Sequence, residues 1–291
     1  MHKFRNLFLK YSPSDTNKSQ PIRSTPNIEN NIFLFLGGLH RSGTSILHRL
    51  LREHKSTSGF FNTGVAEDEG QHLQTIFPSA MVYGGPGRFA FDPHSHITEE
   101  SDLVSIDNKE KLLREWGAYY NFEKKVILEK SPPNIVRSRF FQELFPDSKF
   151  VFIIRHPVAV SLATQKFSKT SIIELMLHWY ISHVVLLNDV KHLKNSIIFR
   201  YEDFIDSPQF YIDRICDLVG IDAFKPEETV KDHNDKYLSI WLPKNQNERD
   251  LLSQMFPEIL NFISQLGYSI DEPYVTELQK ARFVSDIRLR D

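Results

Sequence analysis

The chain has 291 residues, of which 41% are hydrophobic, 25% charged and 12% aromatic, and its formal net charge at pH 7 is −2. That composition is typical of a globular protein and excludes collagen-like, coiled-coil and wholly disordered proteins. Because 35 Lys and Arg residues nearly balance 37 Asp and Glu residues, the molecule has no overall basic field to bind nucleic acid or an anionic membrane. Any anion-binding site must therefore be local.

The cysteine content and the N-terminal residues bear on the cellular compartment. Cys216 is the only cysteine, so the chain forms neither an internal disulfide nor a cysteine-based zinc site, which fits a reducing compartment. The first ten residues lack the apolar segment of a signal peptide, and no run of about 18 apolar residues occurs that would span a membrane. We therefore expect a soluble, cytoplasmic protein with no membrane anchor and no nucleic-acid partner.

Residues 1–30 differ in composition from the rest of the chain. They are rich in Ser, Asn, Pro and charged residues and show no sustained periodicity, which predicts a flexible leader. The remaining sequence contains neither a fixed-period repeat nor a clean linker. Residues 31–291 are therefore predicted to form a single domain.

Apolar runs alternate with helical patterns along this predicted domain. Four short runs are apolar at every position, as expected of strands that are covered on both faces: residues 32–36, 126–128, 150–154 and 197–199. Helical patterns follow them: residues 46–54, a helix after the two prolines that ends at 144, one from 157, one at about 171–193, and one at 208–220. The C-terminal third is mainly helical. This alternation predicts an α/β fold, a three-layer sandwich around a mostly parallel sheet.

Residues 77–105 interrupt the alternation with a long segment that lacks strong periodicity. Segments of this length without regular structure are usually functional or mobile. The glycines of this segment and its aromatic residues Tyr83, Phe89 and Phe91 predict a lid that shapes a binding pocket.

Residues 38–45, Gly-Leu-His-Arg-Ser-Gly-Thr-Ser, give the strongest chemical signal. They follow a predicted buried strand and open a helix, so backbone N–H groups and the positive helix end converge on one point, as in anion sites. The frame is that of a nucleotide P-loop with Thr44 in place of the lysine, which predicts a P-loop-containing nucleotide-binding fold. The positive charge lies instead at Arg41, beside His40. Without that lysine, and with no clear strand-end aspartate for a metal, the loop suits a smaller anion and no metal ion.

This loop resembles the 5′-phosphosulfate-binding loop of the sulfotransferases that use 3′-phosphoadenosine 5′-phosphosulfate (PAPS). The resemblance covers about residues 32–267, with its motifs in the family's order. It implies that PAPS is a co-substrate and that a sulfuryl group passes from it to an acceptor hydroxyl. It also implies that the donor is bound by residues of the loop: His40, Arg41, Ser42, Gly43, Thr44 and Ser45.

A second motif resembles the 3′-phosphate-binding element of the same family. The sequence Phe-Ile-Ile-Arg-His-Pro places Arg155 at the end of a predicted buried strand, where ligands of parallel sheets collect. The family often has a serine eight residues after this arginine, whereas position 163 here is Ala163. Ser161 lies nearby and is the candidate second ligand. Tyr201, at the end of the fourth predicted strand, lies in a segment that resembles the family's segment beside the nucleotide.

Lys130 belongs to a further strand-end segment, Leu-Glu-Lys-Ser-Pro-Pro-Asn, which resembles the lysine-containing segment of the tyrosylprotein and carbohydrate sulfotransferases. Sulfuryl transfer requires neutralisation of charge on the departing phosphate. By analogy with phosphoryl transfer, positioning and electrostatics supply most of the catalysis. Arg41 and Lys130 are the candidates for this role.

The acceptor hydroxyl must also lose a proton. Residues 67–72, Glu-Asp-Glu-Gly-Gln-His, offer a carboxylate near the place where related enzymes have a glutamate base. Glu67 is the first candidate, followed by Glu69 and then His72. An acidic trio before a helix also serves as an N-cap and dipole partner, so a purely structural role for this segment stays open.

Two other classes of function are compatible with the sequence. A P-loop kinase or NTP-binding protein would show magnesium-dependent ATP turnover, and a non-catalytic nucleotide-binding module would bind the desulfonated nucleotide without transfer. The identity of the acceptor is left open among sugars or glycans, phenols and other small-molecule alcohols.

Overall fold

The first predicted strand forms the middle of a parallel sheet. The computed structural model describes residues 24–230 and 234–271 of the chain. The strands are β1 (Ile32–Gly38), β2 (Thr57–Gly59), β3 (Val126–Lys130), β4 (Lys149–Ile154) and β5 (Ser196–Arg200). All neighbouring strands pair in parallel, in the order β2–β3–β1–β4–β5. The prediction of a mostly parallel sheet is confirmed.

Helices follow the strands along the chain, as the sequence pattern predicts. The helices of the described residues are α1 (Thr44–Arg52), α2 (Ile106–Gly117), α3 (Ser138–Leu144), α4 (Pro157–Gln165), α5 (Ile172–Asp189), α6 (Tyr201–Asp206), α7 (Pro208–Val219), α8 (Asp235–Lys244), α9 (Gln246–Met255) and α10 (Pro257–Gln265). Ser171 begins α5 with a reciprocal capping box to Glu174, which fixes the start of this helix.

The alternating side chains of β1 show why its sequence is apolar throughout. Phe35 packs on one face of the sheet in a cluster that contains Trp116 of α2, and Leu36 packs on the other face in a cluster that contains Leu50 of α1. Because helices cover both faces, neither side of the strand is left for polar residues. The predicted three-layer α/β architecture is confirmed.

Two elements of the fold were not predicted from the sequence. β2 has the sequence Thr-Ser-Gly and pairs with β3 at the edge of the sheet, so no apolar run marks it. Helix α2 lies in a highly charged stretch, and only a narrow stripe that includes Leu112, Leu113 and Trp116 is buried. Both elements depend on tertiary packing rather than on a strong local pattern.

The segment 77–105 is built from short 3₁₀ turns at Ala80–Tyr83, Phe89–Phe91 and Pro93–Ser95. Phe77, Phe89 and Ile97 are buried in the core, so the segment is anchored along its length. We call residues 77–105 the lid segment below.

The limits of the predicted domain stay predictions. Residues 1–23 of the predicted leader, and residues 272–291 at the other end, lie outside the described residues. Residues 24–30 form no helix or strand, but Thr25 accepts a hydrogen bond from Arg114 Nη1 (2.9 Å) and Ile28 packs against the core. Within the two described ranges, no helix is both long and apolar enough to cross a membrane.

Candidate active site

The predicted site residues collect at one edge of the sheet, where the strand order reverses. β1 lies between β3 and β4, so β2 and β3 are on one side of it and the chain then crosses to β4 and β5 on the other side. Ligands of open parallel sheets bind outside the carboxyl ends of the strands at such a switch point. Those ends carry the loop 38–45 after β1, Lys130 on β3 and Arg155 after β4.

Two glycines of the loop are required by close approach and by their backbone conformation. Gly38 has a φ of +151°, and a Cβ there would lie 2.6 Å from the carbonyl oxygen of Ile153. Gly43, at the N-terminus of α1, has a φ of +107°, and its Cβ would lie 2.6 Å from Cδ2 of Tyr201. The loop therefore packs tightly against β4 and the start of α6.

The tip of the loop turns through Arg41, which has a left-handed φ of +70°. Ser42 closes this turn because its N–H and its hydroxyl both donate to the carbonyl oxygen of Leu39, over 3.0 and 2.6 Å. Both hydrogen-bond donors of Ser42 are thus already used inside the loop. Alternation of left- and right-handed residues at a helix start is the geometry of backbone anion nests.

Thr44, Ser45 and His40 of the loop have different surroundings. Thr44 is buried under the loop, whereas Ser45 Oγ donates to Oε2 of Glu67 over 3.1 Å. Burial, and then the charges of Lys130 and Arg41, lower the pKa of His40 to about 3, so this ring is neutral at pH 7.

The side chain of Arg41 is exposed and lies over the ring of Phe167, 4.8 Å from its centroid. Its carbonyl oxygen accepts a hydrogen bond from Arg155 Nη1 over 2.8 Å. No direct contact joins the guanidinium of Arg41 to Lys130 among the described residues. The structure thus ties the backbone of Arg41 to the second motif and leaves its charge at the mouth of the site.

Residues 67–72, called the acidic segment below, contact Lys130 directly. Nζ of Lys130, which is fully buried, donates to the backbone oxygen of Glu67 over 2.8 Å and lies 3.4 Å from Oε1 of Glu69. Oε2 of Glu69 accepts from Gln71 Nε2 over 2.6 Å and lies 3.8 Å from His72 Nε2. All three predicted base candidates therefore lie beside Lys130 or beside the loop.

The three base candidates differ in environment. Glu67 is exposed, in a left-handed conformation with a φ of +54°. Glu69 is buried, which raises its pKa although Lys130 opposes the shift. Burial, together with the charges of Lys130 and Arg137, lowers the pKa of His72.

Glu129 fastens the acidic segment to the end of β3, a role that sequence reasoning missed. Its Oε1 accepts from Gly70 N (3.0 Å) and from Ser131 Oγ (2.6 Å), and its Oε2 accepts from Asn134 Nδ2 (2.5 Å). The Gly70 carbonyl in turn accepts from Trp116 Nε1 over 3.0 Å. Burial raises the pKa of Glu129 to about 7 although its hydrogen bonds favour the charged form.

Arg155 is buried and holds several parts of the site together. Its Nε donates to Oδ1 of Asn234 over 2.8 Å, and its guanidinium lies 4.2 Å from the centroid of the Tyr201 ring. Its Nη2 is buried without a hydrogen-bond partner among the described residues. One donor of this cation is therefore available to a ligand.

Ser161 lies on α4 with its hydroxyl fully buried and unpaired within the described residues. It lines a small cavity with His40 and His178, whose Nδ1 and Nε2 atoms are likewise buried and unpaired there. Burial lowers the pKa of His178 to about 3. Leu39, Val160 and Leu175 also line the cavity, and its two histidines are neutral at pH 7.

Asn234 and Glu202 were also missed by sequence reasoning. Besides accepting from Arg155, Asn234 donates through Nδ2 to Oε1 of Glu202 over 2.6 Å, and the same carboxylate oxygen accepts from the backbone N–H of His156 over 3.0 Å. The pattern Tyr-Glu-Asp-Phe marked the segment of Glu202, but nothing in the sequence linked Asn234 to an arginine 79 residues away.

His94 and His96 of the lid segment each lie beside an aspartate. His94 Nδ1 lies 2.9 Å from Oδ1 of Asp92, and His96 Nε2 lies 2.9 Å from Oδ2 of the buried Asp189. Within the described ranges, no group of three or more His, Cys, Asp or Glu side chains is arranged to hold a metal ion. The expectation of a metal-free site stays a prediction.

Comparison with known proteins identifies the family. A protein-family model described as "Sulfotransferase family" matches residues 34–226, which include the loop, the acidic segment, Lys130 and Arg155. The chain belongs to the sulfotransferase family. This sulfotransferase is accordingly an enzyme that transfers a sulfuryl group from PAPS to an acceptor hydroxyl, which confirms the function that the resemblance implied.

Solved structures with detectable similarity to this sulfotransferase come from several sources. The sulfotransferase domain of the Synechococcus PCC 7002 olefin synthase is 20% identical over 84% of this chain and 98% of that chain, with a TM-score of 0.47. A sulfotransferase from Mycobacterium avium is 13% identical over 81% of this chain and 77% of that chain, with a TM-score of 0.48. Retinol dehydratase, in complex with retinol and PAP, is 15% identical over 70% of this chain and 64% of that chain, with a TM-score of 0.33. No curated protein matches the chain.

Proposed function

We propose that the loop 38–45 binds the 5′-phosphosulfate of PAPS and that Glu67, Lys130 and Arg41 catalyse transfer beside it. One observation carries this proposal: Glu67 Oε2 lies 3.1 Å from the loop residue Ser45, while Lys130 donates to the backbone oxygen of the same glutamate over 2.8 Å. A carboxylate, a buried cation and an anion-binding loop thus meet at one point. In the loop, backbone N–H groups at the start of α1 receive the phosphosulfate, with the side chains of His40, Ser42, Thr44 and Ser45 around it.

The 3′-phosphate is assigned to Arg155, with Ser161 as a second ligand. The unpaired Nη2 of Arg155 and the unpaired hydroxyl of Ser161 are both buried donors, and buried donors are usually satisfied by a partner. Ser161 lines a small cavity with His40 and His178, and Arg155 is not among the residues of that lining. Tyr201 supports this assignment because its ring contacts Arg155 and restricts Gly43 at the same time. The residues present therefore fit a nucleotide with phosphates at both the 5′ and the 3′ positions.

In the transfer step, a bond forms between the acceptor oxygen and sulfur while the bond from sulfur to the 5′-phosphate oxygen breaks. Glu67 takes the proton of the acceptor hydroxyl. Lys130 and Arg41 neutralise the negative charge that grows on the departing phosphate, a contribution that strengthens in the transition state. The products are the sulfate ester and 3′-phosphoadenosine 5′-phosphate (PAP).

The division of labour between Glu67 and Glu69 follows from their surroundings. Glu67 is exposed next to the donor loop, where an acceptor hydroxyl can reach it. Glu69 is buried and held by Gln71 and Lys130, so it orients the lysine rather than meeting the acceptor. A base must first lie within hydrogen-bond reach of the proton that it removes, which favours Glu67 over Glu69 and His72.

The acceptor is proposed to be a small molecule, a glycan or another alcohol. An open cavity of about 450 Å³ on the lid segment, lined by residues of that segment that include Tyr83 and Phe91, is its proposed place of entry. The enzyme is proposed to act in the cytoplasm, where the single cysteine Cys216 stays reduced, and to need no metal ion. The kinase alternative is disfavoured because Thr44 stands at the lysine position of nucleotide P-loops, and family membership disfavours a mere binding module.

The proposal is tested with ³⁵S-labelled PAPS and a panel of sugar, phenol and aliphatic alcohols, in EDTA and in magnesium. Glu67→Gln keeps the shape of the side chain but removes the base, so kcat should fall about 10²- to 10⁴-fold while the Kd of PAP changes little. The matched variant Glu69→Gln should lower kcat less. If Glu67→Gln turns over normally while Glu69→Gln or His72→Ala abolishes transfer, the base is misassigned.

A further inference from the structure

Arg137 is a buried arginine that the proposed mechanism does not use. It lies seven residues after Lys130, just before α3, and its side chain is 1% exposed. Its guanidinium lies 5.3 Å from the centroid of the Phe77 ring, and its Nε reaches the carbonyl oxygen of Ser95 only at 3.5 Å. Its Nη2 is buried without a partner in the described part of the chain.

The charge of Arg137 is not neutralised by an adjacent carboxylate in the described residues. The charge of Arg139, two positions later, is neutralised in the usual way, because this arginine forms ion pairs with Glu99 and with Asp189. Burial lowers the pKa of Arg137 to about 10, and the electrostatic influence of Tyr83 and Glu129 opposes this shift. Burying an unpaired charge is costly, and buried polar groups of native proteins are nearly always paired. An arginine in this state requires a reason outside the folding of the chain.

The position of Arg137 indicates which side of the site it serves. Its contacts, Phe77 and Ser95, both belong to the lid segment, and its charge lowers the pKa of His72 in the acidic segment. Glu129 cannot serve as its partner by hydrogen bonding, because that carboxylate is already engaged by Gly70, Ser131 and Asn134. Arg137 therefore lies against the lid segment and close to His72 of the acidic segment.

We propose that Arg137 binds an anionic oxygen of the acceptor, so that the molecule sulfated by this enzyme carries a carboxylate, phosphate or sulfate group besides its hydroxyl. A guanidinium with unused N–H groups binds such oxygens through charge-assisted, often bidentate hydrogen bonds. The inference rests on the proposed function, because it takes the space between the acidic segment and the lid as the acceptor site. An anionic oxygen of the donor sulfonate is the other source of the same chemistry, and the experiment separates the two.

Calorimetric titration of the full chain, saturated with PAP to fill the donor site, tests the proposal with benzoate and inorganic phosphate as probes. The wild type should bind at least one of these anions saturably, and the neutral isostere benzamide should bind about tenfold more weakly than benzoate or not at all. Arg137→Met should weaken anion binding by about tenfold or more. Arg114→Met, which removes a half-buried arginine of α2 near Glu110, should leave it unchanged.

Affinity measurements with PAPS and PAP distinguish the two sources of the anionic oxygen, the acceptor and the donor sulfonate. If Arg137 serves the acceptor, Arg137→Met leaves the ratio of PAPS to PAP affinity unchanged. Preferential loss of PAPS affinity would assign the arginine to the donor sulfonate and overturn the proposal. Absence of saturable anion binding by the wild type, or equal binding by Arg137→Met, would overturn it as well.

Thermal unfolding without ligands separates a ligand-binding role from a structural one. Replacing an unpaired buried charge with an apolar side chain is neutral or stabilising, so Arg137→Met should melt no lower than the wild type. Arg139→Met strips Asp189 of a partner and should melt lower. A decrease in the melting temperature of Arg137→Met as large as that of Arg139→Met would contradict the proposal. The affinity for PAP is measured first and reports on the donor site alone. Loss of PAP binding would contradict the proposed function, whereas loss of anion binding with normal PAP binding would contradict only the role of Arg137.

Discussion

Lys130 and Glu69 form a buried ion pair beside the donor loop, with 3.4 Å between Nζ and Oε1 and almost no exposure of either side chain. The lysine comes from the end of β3, and the glutamate comes from the turn that Glu129 fastens to the same strand. Such a pair holds the ammonium in place before any substrate arrives. Pre-organised charge of this kind lowers a barrier because it needs no rearrangement during the reaction.

The first prediction concerns Lys130→Met, which keeps the length of the side chain and removes the charge. The kcat for sulfuryl transfer should fall about 10²-fold or more, with a smaller effect on the Kd of PAP, because the lysine acts on charge that grows in the transition state. Single-turnover kinetics with labelled PAPS and calorimetry with PAP give the two quantities.

Control variants separate catalysis from folding in this experiment. Lys111→Met, which alters a half-exposed lysine next to Glu115 on α2, should leave kcat unchanged. Lys130→Met also leaves Glu69 buried without its cation, so the double variant Lys130→Met/Glu69→Gln should be more stable than Lys130→Met alone. An equal loss of PAP affinity and kcat in Lys130→Met would assign the lysine to ground-state binding instead.

The second prediction concerns the pH dependence of stability. The pKa of Glu129 is about 7 in the folded protein, above its ordinary value of 4.5. Between these two values the folded state binds more protons than the unfolded state, so the contribution of this carboxyl to stability is lost as pH rises through 7. The free energy of unfolding of wild type minus that of Glu129→Gln should fall by about 3 kcal/mol at most between pH 4.5 and pH 8.

Denaturant unfolding at several pH values measures this difference. Comparison with Glu129→Gln is necessary because His40 and His178, whose folded pKa values are about 3, contribute in the opposite direction. The stability that they confer is present above pH 6.5 and is lost as pH falls toward 3. A difference that is flat with pH, or that rises, would show that Glu129 stays ionised in the fold.

The strands and the donor loop could be predicted from the sequence because their signals are local. Runs such as 150–154 are apolar at every position only when both faces are covered, and the glycine frame of 38–45 has meaning only between a strand and a helix. The placement of Lys130 and the loop at one edge of the sheet also followed, because the carboxyl ends of parallel strands share that edge. The contact of Lys130 with the acidic segment depends on β2, which no apolar run marks in the sequence.

Other parts of the site depend on contacts that no local pattern reveals. Glu129 reads as an ordinary polar residue at a strand end, and only the structure shows its carboxylate bound to the backbone of Gly70. Nothing in the sequence around Arg137 marks this arginine as buried, yet its side chain lies against the Phe77 ring in the interior. The pairing of Asn234 with Arg155 joins segments far apart in the chain, which a single sequence does not disclose.

The third prediction concerns the two phenylalanines of the second 3₁₀ turn in the lid segment. Phe89 is fully buried, with its ring centroid 4.7 Å from that of His178, whereas Phe91 is 38% exposed. Phe89→Ala should destabilise the protein by about 3 kcal/mol, as large-to-small changes in a packed core do. Phe91→Ala should lower the free energy of unfolding by less than about 1 kcal/mol and should instead raise the KM for the acceptor. Denaturant midpoints and acceptor kinetics check both, and equal stability losses would contradict the different roles.

The central claim is that the site is built for a nucleotide with a 3′-phosphate, and calorimetric titration of PAP and adenosine 5′-phosphate in EDTA tests it most directly. The wild type should bind PAP more tightly than adenosine 5′-phosphate. Arg155→Ala should lower the affinity for PAP about 10- to 100-fold and the affinity for adenosine 5′-phosphate much less, because a charge-assisted contact to the 3′-phosphate is lost. Arg49→Ala, which removes an exposed arginine of α1 paired with Glu228, serves as the matched control and should change neither affinity. Equal weakening of both nucleotides by Arg155→Ala, or PAP binding that requires magnesium, would contradict the account.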